Sequence, residues 1–90
     1  MVTAVVLIQA ERALLEETAE ALAALKGVSE VYTVSGEWDI VAMVRCKSNE
    51  AVADVVAGKM LQIPGINRTK TLVAFRSFTE LDLDAIFPVA

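Results

Sequence analysis

Ninety residues leave room for one domain, and a net charge of −4 with eight basic residues scattered along the chain argues against direct contact with DNA or RNA. At 56% hydrophobic and a mean hydropathy of +0.55, the chain carries more apolar material than one small core hides. The excess belongs to partner subunits, a ligand or a membrane. Charges interrupt every apolar run before the roughly 18 residues that a membrane span needs. No basic region precedes the apolar stretch from Met1 to Ala10, so that stretch does not read as a signal peptide. The expectation is a cytoplasmic oligomer. There is no histidine, and Cys46 is the single cysteine. An internal disulfide, Cys/His zinc sites and histidine-dependent nucleophilic catalysis are therefore excluded within one chain. Cys46 ends an apolar strand pattern and reads as a small buried hydrophobe.

In chain order, Thr3 to Gln9 is a β-branched and aliphatic run, read as a buried strand. From Glu11 to Leu25 the period changes. Leu15, Thr18, Ala19, Leu22 and Leu25 fall on one helical face, and Glu16, Glu17 and Glu20 form a solvated one. Gly27 takes the position just past the helix end. Val28 to Val34 is the second strand, Ser35-Gly36-Glu37 the turn, and Trp38 to Arg45 the third strand, close enough to form a hairpin. Ser48 or Asn49 caps a helix from about Glu50 to Gln62, whose stripe is Val52, Val55, Val56 and Met60. Pro64-Gly65 stops it. Arg68 to Phe78 is the fourth strand, and residues 79–90 form a tail that packs on the domain or on a neighbouring subunit.

An internal echo supports this order. Leu25-Lys26-Gly27-Val28 and Ile63-Pro64-Gly65-Ile66 mark the same helix-to-strand corner in each half. The fold class is α+β: a ferredoxin-like βαββαβ sandwich, an antiparallel sheet with two helices on one face. Right-handed crossovers are expected to set the central strands parallel to a neighbour. Val5 and Leu7 oppose Ala4, Val6 and Ile8. Val41 and Met43 oppose Ile40, Ala42 and Val44, while Val73 and Phe75 oppose Leu72 and Ala74. Strands apolar on both faces are buried on both, yet two helices cover only one. The second face calls for another subunit, sheet against sheet, as in a dimeric α+β barrel.

The stretch Ser35-Gly36-Glu37-Trp38-Asp39 concentrates the single Trp, a flexible Gly and two carboxylates at the hairpin bend. Gly36 lets a backbone approach a ligand, and Asp39 can take an ammonium group by a charge-assisted hydrogen bond. The plainer reading is a hairpin turn with Trp38 packed and Asp39 bonding local N–H groups. Thr69 and Thr71, two apart on a strand, present both hydroxyls to one side and can bind a carboxylate or amide. Threonine is also simply a good strand residue. Arg45 and Arg76 read as surface ion-pair residues.

The chain resembles the effector domain of the Lrp/AsnC transcription regulators, the domain for regulation of amino-acid metabolism. The resemblance rests on Gly27-Val28-Ser29-Glu30-Val31, Val34-Ser35-Gly36-Glu37-Trp38-Asp39-Ile40, Ile63-Pro64-Gly65-Ile66 and Thr69-Lys70-Thr71, and runs to about Phe78. It implies subunits paired through their sheets, dimers assembled into an octamer or decamer, and an amino-acid effector bound in clefts between subunits. By the family pattern, Gly36, Asp39, Thr69 and Thr71 match positions near that site, with Ser35, Glu37 and Trp38 in the same turn. No cofactor, metal or catalytic residue is expected. Full-length members carry an N-terminal helix-turn-helix domain, whereas this chain opens on its first strand. The expectation is a stand-alone effector domain, a sensor or modulator that also forms mixed assemblies with full-length regulators.

Two other readings stand beside it. One is a small α+β barrel enzyme such as a monooxygenase or isomerase, which usually needs a His, Tyr or Asn in the barrel; Tyr32 is the only Tyr. The other is a purely structural interaction protein. A copper chaperone lacks its Cys-x-x-Cys here, and an RNA-recognition module lacks its paired aromatics and basic surface.

Overall fold

The structure, a computed structural model, describes residues 1–78. Strand β1 spans Val2–Ala10 and is followed by a 3-10 turn, Arg12–Leu14, and helix α1, Leu15–Ala23. Strands β2, Val28–Thr33, and β3, Ile40–Cys46, form the hairpin. Helix α2 covers Asn49–Ala53 and continues without interruption as a π-helical turn, Asp54–Lys59, and a 3-10 turn, Met60–Gln62. Strand β4 is Ile66–Val73. The tail, residues 79–90, lies outside the described residues. Among the described residues no helix is long and apolar enough to cross a membrane.

The four strands lie in the order β2-β3-β1-β4, and every pair is antiparallel. The expected βαββαβ sandwich is therefore present, with one correction. The crossovers do not set parallel strands side by side. β1 and β2 run in the same direction, but β3 lies between them, and β1 likewise separates β3 from β4. Each helix carries the chain across the strand that lies between the two it connects.

The helices cover one face of the sheet. Ala4, Val6 and Ile8 of β1 and Ile40, Ala42 and Val44 of β3 are fully buried against Leu22, Val52, Val55 and Met60. Leu15, Ala19, Leu25, Val56 and Cys46 pack around that core. The helical stripes read from spacing thus coincide with the buried faces, and Cys46 is a partly buried packing residue. On the opposite, open face Val5, Leu7, Val41 and Met43 are only half-buried, and Tyr32 and Leu72 are exposed.

Several element boundaries differ from expectation: the first helix ends at Ala23 and not Leu25, and the third strand begins at Ile40 and not Trp38, which leaves Trp38 and Asp39 in the loop. Leu14, the residue before α1, makes no capping bond through its side chain, so Arg12–Leu14 closes as a 3-10 turn before the helix begins. The side chain of Ser48, in contrast, accepts the Ala51 N–H at 3.1 Å and starts α2 cleanly. The fourth strand begins earlier and ends earlier than its apolar run suggests. Its pairing partner β1 supplies one last bond, Ala74 N–H to the Thr3 carbonyl at 2.9 Å. Beyond it Phe75 and Phe78 are exposed, with no strand beside them among the described residues.

The two corners repeat each other. Gly27 and Gly65 both have left-handed φ, 98° and 96°, and each opens the strand that follows its helix. The second corner is tied to α1, because Thr18, the buried polar residue of the helix, donates its hydroxyl to the Pro64 carbonyl at 3.1 Å. A Cβ on Gly65 would stand 2.5 Å from that Thr18 oxygen. Gly65→Ala is accordingly expected to lower the unfolding free energy by about 2–4 kcal/mol, from φ strain plus overpacking, as measured by urea denaturation. An unchanged urea midpoint would contradict the tight corner.

At the outer edge of the open face, Glu30 accepts hydrogen bonds from the Tyr32 hydroxyl and from Arg45, whose guanidinium lies 2.7 Å from the carboxylate. The Tyr32 bond first, and then Arg45, hold the Glu30 carboxyl below its ordinary 4.5, and the same bond pushes the Tyr32 hydroxyl above 10.0. A lowered folded value means that the pairing adds stability above the unfolded-chain value and loses it as pH falls through the lowered one. The group is exposed, so that contribution is small. NMR titration is expected to place the Glu30 midpoint below 4.5 and to move it upward in Tyr32→Phe.

Candidate functional site

The hairpin bend is built on the central strand. The Val34 N–H donates to the Asp39 carbonyl at 2.9 Å and closes the loop, while the Asp39 N–H donates to the Ile8 carbonyl at 2.9 Å. Gly36, at φ 114°, provides the left-handed residue, and nothing lies within 4 Å of where its Cβ would be. The constraint at Gly36 is therefore conformational and not steric, and the backbone there is open to approach.

Asp39 sits half-buried at the end of the loop. One carboxylate oxygen, Oδ2, accepts the Ala10 N–H at 2.9 Å, a donor freed where the β1–β4 register shifts between Gln9 and Ala10. The plain structural role is thus real. The other oxygen has no hydrogen bond among the described residues, so the carboxylate retains capacity for a second donor. Gln9 Nε2 donates to the Glu37 carbonyl at 3.0 Å and holds the loop from the other side. Arg68 lies over the Trp38 ring at 5.1 Å from its centroid, a cation–π contact worth about 0.5–1 kcal/mol at an exposed site. Ser35, Gly36 and Glu37 are exposed, and Trp38 is half-buried.

Thr69 and Thr71 occupy the adjacent strand. Thr69 pairs with Ile8, whose carbonyl binds the Asp39 N–H, so β1 alone separates it from the turn. Both threonines alternate with Arg68 and Lys70. They stand on the helix-covered side with Val73, and Arg68 stands on the open side with Gln9. Thr71 helps line a groove of about 540 Å³ between α2 and β4, with Val52, Val56, Val73 and Phe75. Within one chain the turn and the threonine pair are therefore near neighbours on opposite sides of the sheet's end, and the groove that Thr71 lines does not include the turn.

Gln9 and Arg68 belong to this cluster and were not among the residues singled out from sequence. A polar residue closing the apolar run of β1 was the available signal for Gln9. Arg68 required the β4 register. Among the described residues no three His, Cys, Asp or Glu side chains gather as metal ligands would. The arrangement offers one carboxylate, open backbone, an aromatic plate and hydroxyls. These groups bind and orient, and no nucleophile–base pair stands among them.

Comparison with known proteins matches this geometry to a family. Residues 3–82 match the Lrp/AsnC ligand binding domain. An HTH-type transcriptional regulator of Pyrococcus furiosus is 42% identical over 65 residues, which cover 72% of this chain and 43% of the relative. The chain thus corresponds to less than half the length of the curated relatives it matches. A crystal structure from Thermus thermophilus superimposes with a TM-score of 0.85 at 44% identity, covering 89% of this chain and 100% of that one. Escherichia coli AsnC gives a TM-score of 0.81 at 26% identity over 90% of this chain and 55% of its own. A Neisseria meningitidis transcriptional regulator in complex with L-Met shares the fold at a TM-score of 0.73 and 15% identity, over 96% of this chain and 59% of its own. With the sheet order, the paired glycine corners and the Gly36–Asp39 turn all in place, the chain belongs to the Lrp/AsnC ligand-binding domain family.

Proposed function

We propose that this domain is the amino-acid-sensing module of an oligomeric regulator, a binding protein and not an enzyme, working in the cytoplasm. The observation that carries the reading is the Asp39 carboxylate, anchored through one oxygen to the Ala10 N–H while the other has no hydrogen bond among the described residues. An ammonium group is its natural complement, and the exposed backbone around Gly36 and the Trp38 plate give the rest of a small zwitterion something to lie against. Thr69 and Thr71 face away from the turn within one chain, so their hydroxyls meet the carboxylate end only as the pair of a neighbouring subunit across an inter-subunit cleft. The family is one of transcription regulators, and a regulator of the same fold forms a complex with L-Met.

The open sheet face supports the oligomeric part. Val5, Leu7, Val41 and Met43 form an apolar surface that a second copy buries sheet to sheet. Dimers then assemble further, to an octamer or decamer, and mixed assembly with helix-turn-helix-bearing relatives gives a route to DNA. Met43→Asp is expected to reduce the assembly to monomers, read by light scattering at micromolar concentration. A folded monomer in the unmodified protein would sink the proposal of sheet-to-sheet pairing.

Calorimetry against the twenty amino acids tests the ligand. At least one is expected to bind, and Asp39→Asn to weaken it about tenfold or more while the protein stays assembled, because Asn keeps an acceptor for the Ala10 N–H and removes only the charge. Silence across the panel from assembled protein, or full affinity in Asp39→Asn, removes this reading.

A further inference from the structure

The basic residues dispersed in the sequence are not dispersed in space. Four of the eight, Lys26, Arg45, Lys47 and Lys59, line one cavity of about 560 Å³. It lies at the start of β2 and the end of β3, remote from the Gly36 turn at the hairpin's other end. Gly27, Cys46 and Val55 also line it. A Cβ on Gly27 would stand 2.9 Å from Val55 and 3.2 Å from the Cys46 sulfur. The glycine therefore permits the close packing of this wall as well as the left-handed turn.

The charges around the cavity do not cancel. The Arg45 guanidinium is committed to Glu30 and Ser29. That leaves three lysines against one carboxylate, Asp54. Among the described residues the Arg45–Glu30 contact is the only ion pair. The π-helical turn contributes to the arrangement. Asp54 and Lys59 are five residues apart, a spacing that points to opposite sides in an α-helix but much closer to one side in a π-helix. Both ends of the turn therefore reach the same cavity. Cations gathered on a concave surface repel one another unless an anion sits among them, and this happens in a chain whose net charge is −4.

We infer that this cavity binds a small phosphate-bearing anion, with Lys26, Lys47 and Lys59 meeting the phosphate and the Gly27–Cys46–Val55 wall packing against the rest of the molecule. A phosphate suits the site better than a carboxylate. It carries up to two charges and three acceptor oxygens for three ammonium groups, and lysine meets phosphate as a mobile point charge. The cavity falls within the size range of small-molecule sites, about 300–1,000 Å³. The site is separate from the amino-acid cleft, so the two assignments stand or fall independently.

The test is an amide NMR titration of the full chain with inorganic pyrophosphate and, separately, adenosine monophosphate. Both are expected to shift the Gly27, Cys46 and Val55 signals saturably. Lys47→Gln and Lys59→Gln are each expected to weaken binding about three- to tenfold, while Lys59→Arg retains it and Lys70→Gln, outside the cavity, leaves it unchanged. Unaltered thermal unfolding of the variants ties the losses to charge. The assignment is overturned by the absence of saturable shifts at those amides, or by equal losses in Lys70→Gln. Preferential binding of a DNA duplex, abolished by the same substitutions, would overturn it in favour of a nucleic-acid surface.

Discussion

A sheet that is apolar on both faces, with helices enough for one, is the constraint on which the rest of this molecule depends. It fixes the helices, because Leu22, Val52, Val55 and Met60 must all reach the row made by Ala4, Val6, Ile8, Ile40, Ala42 and Val44. It also fixes what remains outside. Val5, Leu7, Val41 and Met43 are held in place by the same backbone that buries their neighbours, and period-two alternation gives them no route into the core. The domain's chemistry is pushed to the ends of the sheet. One end carries the turn with Asp39 and Trp38, and the other gathers lysines around the first glycine corner.

Much of this was legible in the residues. The stripes of α1 and α2 follow helical spacing, and both helices bury those stripes. The repeated corner could be read because a left-handed residue after a helix is nearly always glycine, and it is glycine both times. What misled was apolar content at the end of the fourth strand. Ala74 to Phe78 continues the composition of a strand, but a strand is made by a partner, and β1 begins only at Val2. The direction of neighbouring strands is not legible for a related reason: adjacency depends on which strand is inserted between two others, and local sequence does not encode that.

The candidate site was legible as a loop and less so as a site. Trp38, Asp39 and Gly36 stand out by residue type. Their attachment to Gln9, Ala10 and Arg68 depends on two strands distant in sequence and on a register shift within one of them. Asp39 turned out to serve the backbone and to keep one oxygen in reserve, a division that residue type alone does not reveal. The lysines show the same limit. Charge counted along the chain looked uniform, while charge counted in space is uneven, because the corner, the end of β3 and the π-helical turn meet at one point.

The strand order also has a consequence for how the chain becomes a protein. β1 pairs only with β3 and β4, never with a neighbour in sequence. During synthesis it is the first of the four strands to leave the ribosome, and it must wait for the hairpin, and then for nearly the whole domain, before both its edges are satisfied. Until then a nine-residue apolar segment stands with open hydrogen-bonding groups on either side. The most thoroughly buried strand of the finished molecule is thus the longest exposed during its making, and that interval is where a chaperone or a misfolded neighbour would find it.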